Sequence, residues 1–499
     1  MRAWQSDRRL DTPRGLRCKT RMSPASALAA RPLAQGFPTA TRDDWAQLAT
    51  RTLKGAAPES LTRFTIEALP IAPLYDAASQ AAPAPAKTIS GWDIRAPVQH
   101  PDPVQANAEA LQNLAEGAAS LLVKLDPSGQ NGVAAGSAQD LARVLEGTLL
   151  DVAPVALDAG FLGPSAADWL ALAAKGAPAA KLAFHLDPLS AFAASGSSPG
   201  QIEAHLVACA STAVRLAETY PKASLFLASG RPVHEAGGGE SLELAVAVAA
   251  AIAYAKALAG AGMDASEAFS RIVIGLSADC DYFLSIAKFR AARVVWGKAA
   301  GACGSAAPAR IEAISSGRML TRADPWTNMI RLTAAGLAAA IGGADSIVLG
   351  AFTDAIGPPT SFARRQARNT QLVLMHEAHL GQVRDPASGC GYLEALTDEI
   401  ARAAWARLQL IEGAGGLAAA LQAGSVQRQT DEARAQLAER LAQRELRLLG
   451  VTDFRVEDGR PAQTETRRSP AAASPPDPRL PGPNSRCDQL KSIRLEDLA

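Results

Sequence analysis

The sequence predicts an α/β chain folded as a (β/α)8 TIM barrel, with an N-terminal arm before it and helices after it. Three observations predict this. Short apolar runs recur along the chain, longer Ala/Leu-rich segments fill the intervals, and each run is followed by Asp, Gly, Ser or Pro. Runs that are apolar throughout are how strands look when helices cover both faces of a parallel sheet. One helix per interval then makes repeated βα units.

In order, the runs are "SLLVKLD" (120–126), "DVAPVALDAG" (151–160), "KLAFHLDP" (181–188), "ASLFLASG" (223–230), "RIVIGLSAD" (271–279), "ARIEAISSG" (309–317) and "DSIVLGAF" (345–352). A short eighth strand is expected near "CGYLEAL" (390–396). One unit shows the local logic. In "RADPWTNMIRLTAAGLAAAIGGADSIVLG", Asp324 is the expected N-cap, Pro325 the first helical residue, and Gly342-Gly343 the stop. An open doubly wound sheet is the structural rival. No G-x-G-x-x-G follows the first run, which argues against dinucleotide binding. The expected organisation is a disordered basic extension (1–36), an arm with helices (37–115), the barrel (116–400), C-terminal helices (401–452) broken at "EGAGG", and a disordered Pro/Arg/Ser-rich tail (453–499).

Composition narrows the function classes. With 48% hydrophobic residues, 20% charged residues and a formal net charge of +1, the chain reads as a globular protein without a nucleic-acid, membrane-surface or acidic partner. Cys18, Cys209, Cys280, Cys303, Cys390 and Cys487 are scattered with no zinc-like spacing, so no metal site is expected and a reducing, cytoplasmic setting is. "LAVAVAAAIAYAKALAGAGM" is the most apolar stretch, and its Ala content and Lys256 point to a buried helix rather than a membrane span. Eight Arg or Lys against two Asp within residues 1–35 superficially resemble an organellar transit peptide, but a disordered extension or a start at Met22 explains them better.

Longer motifs narrow the reading further. "LTRADPWTNMIRLT", "AAAIGGADSIVLGAF", "ARRQARNTQLVLMHEAHLGQVRDPASGCGYLEALTDEI" and "AWARLQLIEGAGG" follow one another through residues 320–416. "DYFLSIAKFRAARVVWG" and the early "FPTATRDDWAQLATRTLKG" extend the pattern upstream. Together they closely resemble the barrel domain of the methylmalonyl-CoA mutase family, over roughly residues 37–455. The resemblance implies adenosylcobalamin-dependent interconversion of methylmalonyl-CoA and succinyl-CoA, with acyl-CoA threaded through the barrel and cobalamin on a separate flavodoxin-like domain. It also implies, in bacterial forms, a heterodimer whose small subunit keeps the fold and has lost the active site.

Position by position, the active pattern is altered. Aligning S-G-Y-H-x-x-E-A-G on Glu235-Ala236-Gly237 puts Arg231 at the Tyr and Pro232 at the His, leaving His234 displaced by two places. For T-I-Q-N-D, aligned on Asp187, the chain offers Ala183, Phe184, His185 and Leu186. The P-S-M-R arginine has no counterpart, and Glu312 and Ile314 replace the His and Gln of H-x-Q-T-S-G. Arg271 persists at a position the resemblance associates with CoA. From the arm's R-G-x-Y-P-T-M-Y only Trp92 and Arg95 remain as a Trp and an Arg. The cobalamin-binding D-x-H-x-x-G is missing around His379, and the sequence as given carries no segment expected to form a cobalamin domain.

The expectation is therefore the small, non-catalytic subunit of a heterodimeric mutase, with adenosylcobalamin on the large subunit. His234 and His185 are the candidate catalytic residues and Arg271 the candidate CoA-binding residue. The rival from the enzyme class is an active acyl-CoA mutase borrowing cobalamin from another chain or domain. It requires a polar lumen with an acyl-sized cavity, whereas Phe184, Leu186 and Ile314 are expected to plug the lumen. A cobalamin-loading chaperone would carry G-x-x-x-x-G-K-[ST], and no such motif occurs.

Overall fold

The computed structural model describes residues 36, 40–76, 84–87, 91–177, 179–455, 459–467, 470 and 472–499. The predicted basic extension, Gly36 apart, lies outside the described residues. The chain divides into two units, Met1–Leu61 and Thr62–Ala499. In the first, helix Arg42–Thr52 starts at Thr41, whose side chain accepts from the Asp44 amide while Asp44 answers the Thr41 amide, a capping box.

The second unit contains a short antiparallel hairpin, β1 (Arg63–Phe64) and β2 (Pro70–Ile71), and a closed parallel barrel. The barrel strands are β3 (Asp93–Val98), β4 (Ser120–Lys124), β5 (Val155–Asp158), β6 (Leu182–Leu186), β7 (Ser224–Ser229), β8 (Ile272–Ala278), β9 (Ile311–Ser315) and β10 (Ser346–Val348). Closure runs from β10 to β3, with Ser346 and Ile347 opposite Asp93 and Ile94. Each of the seven predicted runs contains one strand.

The eighth strand is a correction. "CGYLEAL" opens the helix Gly391–Gly413, and the missing strand is β3, inside the segment read as an extended arm. The barrel thus begins at Asp93 rather than near residue 116. "WDIRAPV" carries Asp, Arg and Pro, which masked its strand pattern. Its charges are tolerated because Arg95 turns inward to partners within the barrel.

The outer helices follow from capping and from small residues. Asp102 and Asp187 cap helices that begin with Pro103 and Pro188, where a missing N–H costs nothing. The helix expected from Pro325 starts three residues later, at Asn328, because Asp324 accepts from Thr327 in a turn that precedes it. Its stop at Gly343, with φ +87°, is as predicted. The apolar stretch is helix Glu240–Gly260. It is the one described helix long and apolar enough to cross a membrane, and 72% of that window is buried. It approaches β7 so closely that a Cβ on Gly230 would lie 2.0 Å from the Glu243 carbonyl oxygen.

The tail is a second correction. Its described residues are irregular yet docked: Trp326 donates to the Arg460 carbonyl, Arg467 pairs with Glu109 at 2.7 Å, and Leu490 and Leu495 are buried. Its prolines interrupt helix and strand upstream of the 3-10 turn Leu495–Asp497, and backbone groups bond to the barrel's loops instead.

Candidate functional site

Alternation along the strands assigns the lumen. Leu122, Ala156, Ala183 and Val348, with Ile314 packed against them, form a small cluster separate from the main core. They come from β4, β5, β6, β10 and β9, so this cluster is the inner layer. Ile314 thus contributes to the plug as expected. Phe184 and Leu186 do not: Phe184 packs edge-on against Tyr220 in the outer layer, and a Leu186 methyl lies 3.0 Å from where a Cβ on Gly163 would be. Alternation with the inward Ala183 and His185 puts both on the outer face, and the register against β7 shifts between Ala183 and Leu186, where His185 has a φ of +47°.

Two residues before Val348 and Ile314, toward the strands' N-terminal ends, the lumen is polar. Arg95 of β3 pairs with Glu312 of β9, two strands away, bonds to Asp93 at 2.9 Å and donates from Nε to Ser120 Oγ at 2.9 Å. Glu312 is fully buried, and Ser346 Oγ donates to it at 3.5 Å. His185 Nδ1 is 3.9 Å from the other Glu312 oxygen. Burial outweighs the Glu312 charge and pushes the His185 imidazole down to about 4, so it is neutral at pH 7. Burial works against the Glu312 charge, but the Arg95 guanidinium beside it outweighs that and holds the carboxyl below the usual range. This layer thus holds a neutral histidine beside a buried ion pair in which Glu312 Oε1 and Asp93 Oδ1 keep no hydrogen-bond partner among the described residues.

His234 belongs to a different structure. It lies in the short helix Arg231–Glu235 and is fully buried. Its Nε2 is 3.1 Å from Asp279 Oδ2 and 3.0 Å from Ser316 Oγ, and its Nδ1 is 3.5 Å from Glu243 Oε2. Lys288 donates to Glu243 at 2.5 Å, and the Ser277 amide donates to Glu243 at 2.6 Å. Arg318 pairs with Asp279 at 3.1 Å and donates to the carbonyls of His234 and Gly238. Lys288, Glu243, His234, Asp279 and Arg318 thus form one buried polar network behind the C-terminal ends of β7, β8 and β9. Burial disfavours both carboxylates' charges, but Lys288 and a hydrogen bond from His234 hold Glu243 at about 2, and the His234 hydrogen bond and Arg318 hold Asp279 well below the usual range. Each of the five side chains contacts another of the set, so the network fixes loop geometry.

Arg231 and Pro232, which occupy the Tyr and His positions, begin this same helix. The Arg231 amide donates to Ser229 Oγ, and its guanidinium is 4.0 Å from Glu235. Arg271 is at the opposite end of the barrel, where β8 begins. It donates to the carbonyls of Pro221 and Ala223 and pairs with Glu267 at 2.9 Å. It also lines a recess of about 890 Å³ with Lys181, Lys222, Arg310, Arg95 and Asp93. The three predicted residues are therefore not brought together: His234 is behind the C-terminal loops, His185 is in the lumen and Arg271 is at the N-terminal mouth.

Sequence reasoning noted Arg95 and Glu312 singly and missed their pairing; it missed Glu243, Asp279, Lys288 and Arg318 altogether. A signal existed. Glu243 and Lys288 are isolated charges inside Ala-rich helices, and a charge there must be paired to be buried. Among the described residues, no group of three or more His, Cys, Asp or Glu is placed to hold a metal ion. Nor do they fit a cobalamin. His379 is exposed, with positive φ, and its Nδ1 faces the Gln382 amide nitrogen at 3.4 Å instead of a carboxylate that would orient it as a ligand.

Comparison with known proteins places these observations. The methylmalonyl-CoA mutase family model matches residues 86–474. The chain is 36% identical over 472 residues to the methylmalonyl-CoA mutase small subunit of Streptomyces virginiae, covering 89% of this chain and 74% of that one. It is 34% identical over 473 residues to the small subunit of Propionibacterium freudenreichii subsp. shermanii, covering 88% and 72%. To the methylmalonyl-CoA mutase of Cereibacter sphaeroides it is 28% identical over 455 residues, covering 83% and 64%.

Proposed function

Because the chain belongs to the methylmalonyl-CoA mutase family, we propose that it is the small, non-catalytic subunit of a heterodimeric mutase, stabilising a large subunit that isomerises methylmalonyl-CoA and succinyl-CoA. The observation that carries this reading is the lumen. The Arg95–Glu312 pair bridges β3 and β9 inside the lumen, and an apolar layer of Leu122, Ala156, Ala183, Ile314 and Val348 follows it along the axis. An acyl chain threaded along the axis would have to displace that buried ion pair, and breaking such a pair costs about 3–5 kcal/mol. In the apolar layer beyond it, the chain would meet no side chain able to protonate or hold a thioester oxygen.

Adenosylcobalamin belongs to the large subunit in this reading, since the residues present here do not fit it. When bound there, it supplies the radical that starts the rearrangement. This chain's part is to present a rigid barrel to its partner in the cytoplasm. Obligate interfaces of that kind bury about 2,000–5,000 Å² and are rich in apolar surface. Exposed Phe283, Ile330, Phe362, Leu410 and Phe454 are available for such burial.

Sedimentation of the chain alone, and mixed with a mutase large subunit, tests the proposal. The expected result is self-association or low stability alone and a one-to-one complex on mixing. A long-lived monomer that ignores the large subunit would overturn it.

A further inference from the structure

Residues 485–498 cross the rim of the C-terminal mouth as an extended segment that closes in a 3-10 turn at Leu495–Asp497, held by backbone bonds. The Ser198 amide donates to the Ser485 carbonyl, and the Ser485 amide to the Gly200 carbonyl. The amides of Cys487, Leu490, Ile493 and Leu495 then donate to the carbonyls of Gly196, Ala193, Glu235 and Arg318, at 2.8–2.9 Å. The receiving carbonyls come from the loops after β6, β7 and β9. Gly200 is required at the crossing, since a Cβ there would be 2.3 Å from the Leu480 carbonyl oxygen.

Side chains add register to these sequence-independent bonds. Leu490 enters the main core, and Leu495 packs with Leu437, Leu441 and Leu448. The Glu496 carboxylate accepts from the amides of Arg322 and Ala323 and pairs with Arg322 Nε at 3.0 Å, with only 6% of its side chain exposed. Gln427 donates to the Asp488 carbonyl at 2.8 Å. By contrast Pro476, Asp477 and Arg479, upstream, are exposed. Main-chain bonds with pockets for spaced side chains are how sheets and grooves read extended peptides.

We infer that the C-terminal mouth is a peptide-binding groove, selective for an extended segment with two leucines five residues apart and an acid directly after the second, and that residues 485–498 of this chain are its occupant. The mouth of this barrel thus recognises a peptide where catalytic barrels recognise small molecules. The inference does not depend on which partner the chain assembles with.

The test uses the full chain with a protease site inserted between Pro476 and Asp477. After cleavage and native gel filtration, the fragment is expected to elute with the body. The Leu490→Ala/Leu495→Ala double variant is expected to release it. A labelled synthetic peptide of residues 485–499 should exchange into the cleaved protein, at least tenfold more tightly than its double-alanine counterpart. A fragment eluting free from a body that remains folded by circular dichroism would overturn the inference, and so would equal binding of the two peptides. If cleavage unfolds the body, hydrogen exchange on the intact chain decides. Protection of the Cys487, Leu490, Ile493 and Leu495 amides by at least a hundredfold supports the groove, and exchange at unprotected rates contradicts it.

Discussion

The two mouths of the barrel use charge in opposite ways. At the C-terminal mouth, where barrels of this class place their chemistry, Lys288, Glu243, His234, Asp279 and Arg318 are buried and bound to one another, and the chain's own end lies across the rim. At the N-terminal mouth a recess of about 890 Å³ is lined by Lys181, Lys222, Arg271 and Arg310 against Asp93. Charge that is buried and paired fixes geometry, whereas charge on an open rim is left to meet solutes. At the C-terminal mouth the charged side chains bind one another, and at the N-terminal mouth they line an open recess.

The sharpest way to break that contrast is to remove one buried cation. Lys288→Ala leaves the buried Glu243 with only His234 and the Ser277 amide, and should cost about 3–5 kcal/mol in urea unfolding. A cost near zero would mean that the buried chain is not structural. The lumen pair comes next. Glu312→Gln should cost about 2–3 kcal/mol, since Arg95 retains Asp93 and Ser120. The double variant Arg95→Met/Glu312→Leu should recover most of that loss, because apolar replacement of a buried pair is often neutral.

A smaller effect depends on pH. The folded His185 imidazole titrates at about 4, below its ordinary 6.5. The unfolded chain therefore binds the extra proton first, and stability present above pH 6.5 is lost as pH falls toward 4. His185→Asn should flatten the urea midpoint against pH across that window, by about 3 kcal/mol at its acid end. An unchanged profile would remove His185 from the lumen's electrostatics. Smallest of all, Lys222→Ala at the open mouth should change stability by less than about 0.5 kcal/mol. A cost matching that of Lys288→Ala would erase the difference between the mouths.

Much of the fold was legible because continuous apolar runs and small-residue helices have one common reading. What escaped was whatever depended on pairing across the barrel. β3 was hidden because its inward positions are Arg95 and Pro97 rather than apolar residues. Phe184 and Leu186 are expected in the lumen, but strand alternation with the inward Ala183 and His185 turns them outward. The tail's composition forbids helix and sheet but not docking, because irregular backbone can bond to loop carbonyls and two leucines suffice as anchors. At the candidate site, the displacement of His234 was readable from the motif. Its five-member polar network was not, because those residues are scattered from His234 to Arg318 and meet only through three strand ends.

The central claim is that this barrel does no chemistry itself. A mutase assay with adenosylcobalamin and methylmalonyl-CoA tests it directly, on this chain alone and then mixed with a mutase large subunit. The account predicts no succinyl-CoA from the isolated chain, and activity or stability of the large subunit rising on mixing. Turnover by the isolated chain would contradict it and return His234 and His185 to the centre of the mechanism.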